Sequence, residues 1–527
     1  MKKRFLSLLL CTAMAVSLTA CGGKSTGENT GTTAGTETTA GESADGKRKD
    51  TEGSNIFTFA SADVMVNFDV FSTSTQVITK TMALLWGDPL IASNHEGEFY
   101  PGLATEWNWS DDNMQCTFKL RDDVYFHDGK KMTAADVKTT YDRFINGEAY
   151  SQAWNVLDSI DAVDDTTVVM NFSTPMPMFY AECCNCPILQ GEAYTADPDG
   201  YLMKPIGTGP FKVKSFAVDE ATIFERNDNY WGWTDDNKSN VDEIVFKTIA
   251  EEMTRVASLR TGEIDLALNV SYDNKETLEK EGISTLVKDQ VLQIYIGASV
   301  NGVMADKNLR EAVSLCINRQ LIVDSIVGIG SPCGPGIEGV VGYDSSQPEY
   351  EYDLEKAKEL VANSDYNGET IRLLAPTQQN ITRISETMQA IMSMMTEAGF
   401  KVEVEFLDKS AYNDRRGSGD YDLALSSWSN AGGDSYKLYS DIIVADRFHT
   451  GYTNEEINKI YEERVAGQLD VEVRGKASAE INKIMMEEFA PNIFLYRAAA
   501  MTGYQSNITG FEIYPDTVYN FSHVNIN

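Results

Sequence analysis

Apolar positions along the chain follow two periods, one of strands and one of helices. Ile56–Ala60 has the length and composition of a short buried strand, and a polar loop from Ser61 to Ser72 follows it. Thr75–Trp86 has helical spacing, with Val77, Leu84 and Leu85 as inward positions. Thr117–Leu120, Val124–Phe126 and Val168–Phe172 predict further short strands. Between the second and third of these, Thr133 precedes a helical face of Val137, Tyr141 and Phe144, and Asp136 stands where a capping-box acid would. Ile244–Ile249, Glu251–Arg260 and Ile264–Leu268 predict strand, helix, strand, with Gly262 ending the helix.

The clearest periodicity runs from 371 to 428. Ile371–Ala375 predicts a strand, and Ile384, Met388, Ile391, Met392 and Met395 fall on one helix face that Gly399 ends. The helical spacing of these methionines favours core packing over a pocket lining. Val402, Val404 and Phe406 alternate with charged residues as in a half-buried strand. Ser410–Arg416 predicts a short helix and Tyr421–Ser426 another strand. Strands alternating with helices imply a mostly parallel sheet, and such sheets bind ligands at the carboxyl ends of their strands. The loops at those ends carry the candidate contacts. These are Asp63 and Asn67 in one, Asn269 in a second, Gln378, Gln379 and Asn380 in a third, and Trp428, Asn430 and Asp434 in a fourth. Amides and carboxylates there offer hydrogen bonds, and the indole offers a flat apolar wall with one N–H.

The amino-terminal end changes the picture. Lys2, Lys3 and Arg4 precede an apolar run from Phe5 to Ala20, which is too short for a lasting membrane span. It ends in Leu18-Thr19-Ala20-Cys21, which resembles a bacterial lipobox, with Cys21 as the lipidated first residue of the mature chain. Residues 21–54 are rich in Gly, Thr, Ser and Glu and are expected to form a flexible tether. The net charge of −35 makes nucleic acid and anionic lipid headgroups poor partners.

Six cysteines remain beyond Cys11 and Cys21: Cys116, Cys183, Cys184, Cys186, Cys316 and Cys333. Cys183 and Cys186 have a C-x-x-C spacing, but the chain has four histidines and none lies near them in sequence, so structural thiols or a disulfide are expected rather than a metal site. No Gly-x-Ser-x-Gly elbow, His-Glu-x-x-His pair or phosphate loop supports an enzyme. No cofactor is expected. A hydrolase and an envelope adhesion or scaffold lipoprotein are the competing classes.

Several stretches together resemble the family-five extracellular solute-binding proteins, the dipeptide, oligopeptide and nickel binders of ABC importers. They are Leu103-Ala104-Thr105-Glu106-Trp107, Phe118–Arg121, Phe126-His127-Asp128-Gly129 and Thr133–Val137. Then come Gly207-Thr208-Gly209-Pro210-Phe211, Glu225–Asn227, Tyr230-Trp231-Gly232, Leu309–Ala312, Ile317–Arg319 and Asp353–Ala357. Gly129, Gly207 and Gly209 read as turns that a side chain would obstruct. Arg121, Arg226 and Arg319 read as partners of acids or carbonyls, and His127 as a hydrogen-bonded turn residue.

The resemblance implies an α/β, two-lobed periplasmic-binding-protein fold of class II type with an inserted third domain. Lobe one would take 55–87, 201–295 and 496–527, the insert 88–200, and lobe two 296–495. A monomer would close on a small solute or peptide and deliver it to the permease subunits of an importer, from a lipid anchor on the outer face of the membrane. In peptide-binding relatives an Asp three residues after a Trp takes the peptide's amino end. Here Trp428 is present, Ala431 stands at the Asp position, and Asp434 is the nearest replacement. Short-peptide relatives place an Arg for the carboxylate after the strand matching Ile371–Ala375, and here no Arg occurs before Arg383. An oligopeptide therefore leads, with an oligosaccharide or a chelated metal as alternatives.

Overall fold

The structure is a computed structural model. It describes residues 55–71, 77–94, 98–149, 153–218, 221–377, 381–430 and 432–527. Cys21, the tether, and Gln378, Gln379 and Asn380 lie outside them.

One large sheet organises the protein. Its strands run in the order Lys401–Leu407, Thr370–Pro376, Leu423–Ser429, Ile283–Ala298, Asn492–Gln505, Leu266–Val270, Ile56–Ser61, Glu243–Thr248, Ala221–Arg226 and Phe211–Ser215. Two of them, Ile283–Ala298 and Asn492–Gln505, are 16 and 14 residues long and pair antiparallel. One end of this pair carries the half-sheet around Ile56–Ser61, and the other end carries the half-sheet around Thr370–Pro376. The register slips between Asp289 and Gln293, a local break in the ladder where a strand bends most easily. We call the two half-sheets with their helices the first and second lobes.

The expected mostly parallel sheet is in fact mixed. Pairing is parallel within each lobe's centre, at Ile56–Ser61 with its two neighbours and at Thr370–Pro376 with its two. It is antiparallel wherever the two long strands or the Phe211–Arg226 hairpin take part. The physical reason is the path of the chain, which crosses between lobes and must return alongside itself.

Local predictions hold where a periodic face meets a core. In helix Ile384–Glu397, Met388, Ile391 and Met395 are fully buried in the second lobe's core, as the packing reading expected. Helix Ala134–Ile145 starts at Thr133, whose backbone N–H donates to the Asp136 carboxylate at 2.9 Å. Other details differ. Helix Val77–Trp86 buries Leu85 as expected, together with Ile78, Met82 and Trp86, but leaves Val77 exposed and Leu84 half-buried. Val124–Phe126 forms no strand, only a bridge from Tyr125 to Lys131. Phe406, near the carboxyl end of the edge strand Lys401–Leu407, is exposed, while Val402 and Val404 pack against the second lobe's core.

A separate four-stranded antiparallel sheet of Ala104–Trp109, Gln115–Leu120, Thr167–Phe172 and Leu157–Asp164 holds its own core with helix Ala134–Ile145. Asp88 ties this part to the first lobe. Its carboxylate accepts from Tyr230 Oη at 2.8 Å, Trp231 Nε1 at 3.0 Å and Thr208 Oγ1 at 2.7 Å. The signature residues thus build a joint. A Cβ on Gly207 would stand 1.9 Å from the Trp86 carbonyl oxygen, so only glycine fits. His127 Nε2 lies 3.0 Å from the Gly209 carbonyl, and burial pushes the ring down to about 4. Arg226 meets Asp228 and Asp242, Arg121 meets Asp123, and Arg319 donates to the Ser314 and Phe494 carbonyls.

The six cysteines are free thiols, five of them buried. Burial raises Cys184 and Cys186 to about 12, which keeps them protonated and unreactive. Among the described residues, no group of three His, Cys, Asp or Glu side chains is placed to hold a metal, and no helix is long and apolar enough to cross a membrane.

Candidate ligand-binding site

A cavity of about 960 Å³ lies between the lobes, over the two long strands. Gln290, Leu292, Ile294 and Ala498–Met501 of those strands form its floor. Its polar rim comes from strand ends. Each lobe has three parallel strands, and the carboxyl end of every one of them feeds the cavity. In the first lobe, Ile56–Ser61 leads to Asp63, Glu243–Thr248 to Glu252, and Leu266–Val270 to Asn269, Ser271 and Tyr272. In the second, Thr370–Pro376 leads to Ile381–Arg383 and Lys401–Leu407 to Lys409, while Leu423–Ser429 ends at Ser429. This is the strand-end rule for α/β sheets applied from both sides of one cleft.

Charge is divided between the lobes. The acids that line the cavity, Asp63, Glu252 and Asp516, all belong to the first lobe, and the bases Arg383 and Lys409 belong to the second. Asp63 accepts from Ser61 Oγ at 2.7 Å, and Glu252 Oε1 accepts from the Ser271 amide at 2.8 Å and from Asn274 Nδ2 at 3.0 Å. Neither is in a salt bridge among the described residues. Arg255, buried behind them, donates to the carbonyls of Ile249, Leu268 and Asn269 and partly offsets their charge. Its own pKa is lowered by burial. Asn269 has φ of 51°, a left-handed conformation that Asn tolerates, and this turns it at the strand end.

The lobes touch across the cleft. Arg383, also left-handed at φ 52°, forms an ion pair with Asp273 of the first lobe and donates to the Ile326 carbonyl at 2.9 Å. The Tyr272 ring lies over Gly328. Beside the cleft, Gly432 packs so closely on the helix Phe179–Cys184 that a Cβ there would stand 2.7 Å from that of Ala181.

Of the expected contacts, the structure brings Asp63 and Asn269 to the cavity and leaves four others outside its lining. Asn67 accepts from the Asp69 amide at 3.0 Å in a local turn. Trp428 sits inside the strand Leu423–Ser429, which runs three residues beyond its expected end because it pairs with Ile283–Ala298. Successive side chains of a strand alternate faces. Ser429 therefore meets the cavity, and Trp428 packs on the opposite side against the cluster of Tyr295, Tyr439 and Phe494. Asn430 is buried and donates to Gln293 Oε1 at 2.7 Å. Asp434 is locked in a buried ion pair with Arg474 at 2.7 Å, so its own carboxylate is not free to replace the acid absent at Ala431. Glu252 and Lys409 were not singled out from sequence. The signal was available for Lys409, which follows the end of the Val402–Phe406 alternation.

Comparisons with known proteins agree with this geometry. A family model for bacterial extracellular solute-binding proteins, family 5, matches residues 98–443. The probable D,D-dipeptide-binding periplasmic protein DdpA of Escherichia coli K12 is 27% identical over 454 residues, covering 80% of this chain and 84% of that protein. The glutathione-binding protein GsiB of the same strain is 25% identical over 497 residues, covering 89% and 95%. Among solved structures, HbpA2 from Haemophilus parasuis matches with a TM-score of 0.81 at 22% identity, over 90% of this chain and 100% of that one, a likeness of fold. The family match spans well over half of the chain, and the protein belongs to the bacterial extracellular solute-binding proteins of family 5, acting as the solute-binding protein of an ABC importer.

Proposed function

We propose that the solute is a short oligopeptide with both ends free, held between the lobes and delivered to the importer's permease subunits. The observation that carries this reading is the division of charge across the cavity, with Asp63 and Glu252 on one wall and Lys409 and Arg383 on the other. An ammonium and a carboxylate a few residues apart match those walls. A neutral oligosaccharide offers neither an ammonium for Asp63 and Glu252 nor a carboxylate for Lys409, so it would use none of this charge. Size agrees: at interior packing density an amino-acid residue fills roughly 130 Å³, so the cavity has room for several. The names of DdpA and GsiB point to small peptides in related proteins.

In this reading Asp63 and Asn269 contact the solute. The lobes take 55–87, 201–295 and 496–527 on one side and 296–495 on the other, with 88–200 inserted. The separate core of residues 296–495 supports the second of these limits, while the insert shares its core with Val70, Phe71 and Ala83 of the first lobe. Cys21, in its lipobox-like setting, carries the lipid anchor, and the protein acts as a monomer without enzymatic activity. Calorimetric titration with a mixed tetrapeptide library, the same library acetylated and amidated, and maltotetraose tests the ligand class. The free-ended library is expected to bind and the other two to bind weakly or not at all. Tight binding of maltotetraose with no response to peptides refutes the reading.

A further inference from the structure

We propose that Lys409 receives the anionic group of the bound solute, and that Arg383, the other cation at the cavity, serves as a clasp between the lobes. This rests on the peptide reading above and assigns its carboxylate end. The two cations line the same cavity but differ in what already holds them. Arg383 is engaged twice, by the Asp273 carboxylate of the opposite lobe and by the Ile326 carbonyl. Lys409 has no hydrogen bond or ion pair among the described residues, and its side chain is exposed at the rim.

Its position is fixed all the same. Lys409 is the first residue of helix Lys409–Gly417, two residues past the strand Lys401–Leu407, and the Thr377 amide donates to the Leu407 carbonyl at 2.8 Å to hold the neighbouring strand ends together. Two of the backbone amides at this helix start are already used. Asp408 Oδ1 accepts from Ser410 and Ala411 at 2.9 and 3.1 Å, so the ammonium, rather than the helix end, is the available positive group. An ammonium has three rotatable donors on a flexible stem and can follow carboxylates set at slightly different depths. The Arg383–Asp273 pair is different in kind. Its side chains are 39% and 69% exposed, and such a pair contributes little to stability and opens readily. That suits a clasp which must release whenever the lobes part.

The test compares two mixed tetrapeptide libraries, one of free acids and one of carboxyl-terminal amides, by thermal shift and calorimetric titration against wild type, Lys409→Gln, Lys409→Arg and Arg383→Gln. Wild type is expected to prefer acids by about tenfold or more, the scale of one charge-assisted hydrogen bond. Lys409→Gln should abolish the preference while leaving amide binding intact, and Lys409→Arg should restore it. Arg383→Gln should weaken both libraries by the same factor and keep the preference. Equal binding of acids and amides by wild type overturns the proposal. So does a preference that survives Lys409→Gln and disappears in Arg383→Gln. Binding of neither library overturns the peptide reading itself and this assignment with it.

Discussion

Replacing Asp434 with Asn should lower stability sharply and touch solute binding little. The carboxylate accepts from Arg474 Nε at 2.9 Å and Nη2 at 2.7 Å, and its other oxygen accepts from the Tyr436 amide at 2.8 Å. Both side chains are 4% exposed. Arg474 also donates to the Gln468 carbonyl, so the pair joins the loop after the strand Leu423–Ser429 to the start of helix Val471–Glu488. The net worth of such a pair is small, because desolvation offsets attraction. Removing one partner is another matter, since it strands a buried guanidinium and typically costs 3–5 kcal/mol, about that amount being expected here. Replacing both with apolar residues of similar volume should recover most of the loss. Urea unfolding of Asp434→Asn, Arg474→Met and the double variant Asp434→Leu/Arg474→Met is the assay. A protein of this size can unfold in steps, so the effect should appear in the second lobe's transition. The reasoning is refuted if Asp434→Asn unfolds like wild type and loses affinity for the free-ended tetrapeptide library.

Three further outcomes follow from the joint between the first lobe and the insert. His127 is held at about 4 by burial against 6.5 when unfolded, so it is silent above pH 6.5. Between pH 6.5 and 4 the unfolded chain takes up a proton that the folded one does not, and wild type should lose up to about 3 kcal/mol over that window relative to His127→Gln in parallel urea titrations. Gly207→Ala must displace the Trp86 carbonyl and should cost more than about 3 kcal/mol or prevent soluble expression. Gly129→Ala, at φ 85° with open space around it, should cost about 1 kcal/mol in the same unfolding assay.

What could be read from the sequence was local. Strand Ile56–Ser61, the Thr133–Asp136 cap and the buried face of helix Ile384–Glu397 each depend on residues within a few positions of one another. The strand-end rule then led to Asp63 and Asn269. Trp428, Asn430 and Asp434 lie outside the cavity lining because of partners distant in sequence. Trp428 was set at a loop start because the strand's partner, Ile283–Ala298, is more than a hundred residues earlier, and a small change in strand length decides which residue faces the cleft. Asp434 read as a free carboxylate because Arg474 lies 40 positions away. The two long strands escaped notice because their burial follows two lobes in turn and shows no single period. Lys409 and Glu252, charged residues at helix starts, look in sequence like any solvated helix end, and only the convergence of six strand ends sets them apart.

The central claim is that the cleft between the lobes holds a free-ended peptide. Native mass spectrometry of freshly purified protein, followed by release and fragmentation of whatever it carries, tests this most directly. The account predicts added masses that resolve into short peptides with unblocked amino and carboxyl ends. Recovery of a sugar or of a metal chelate as the bound species would contradict it.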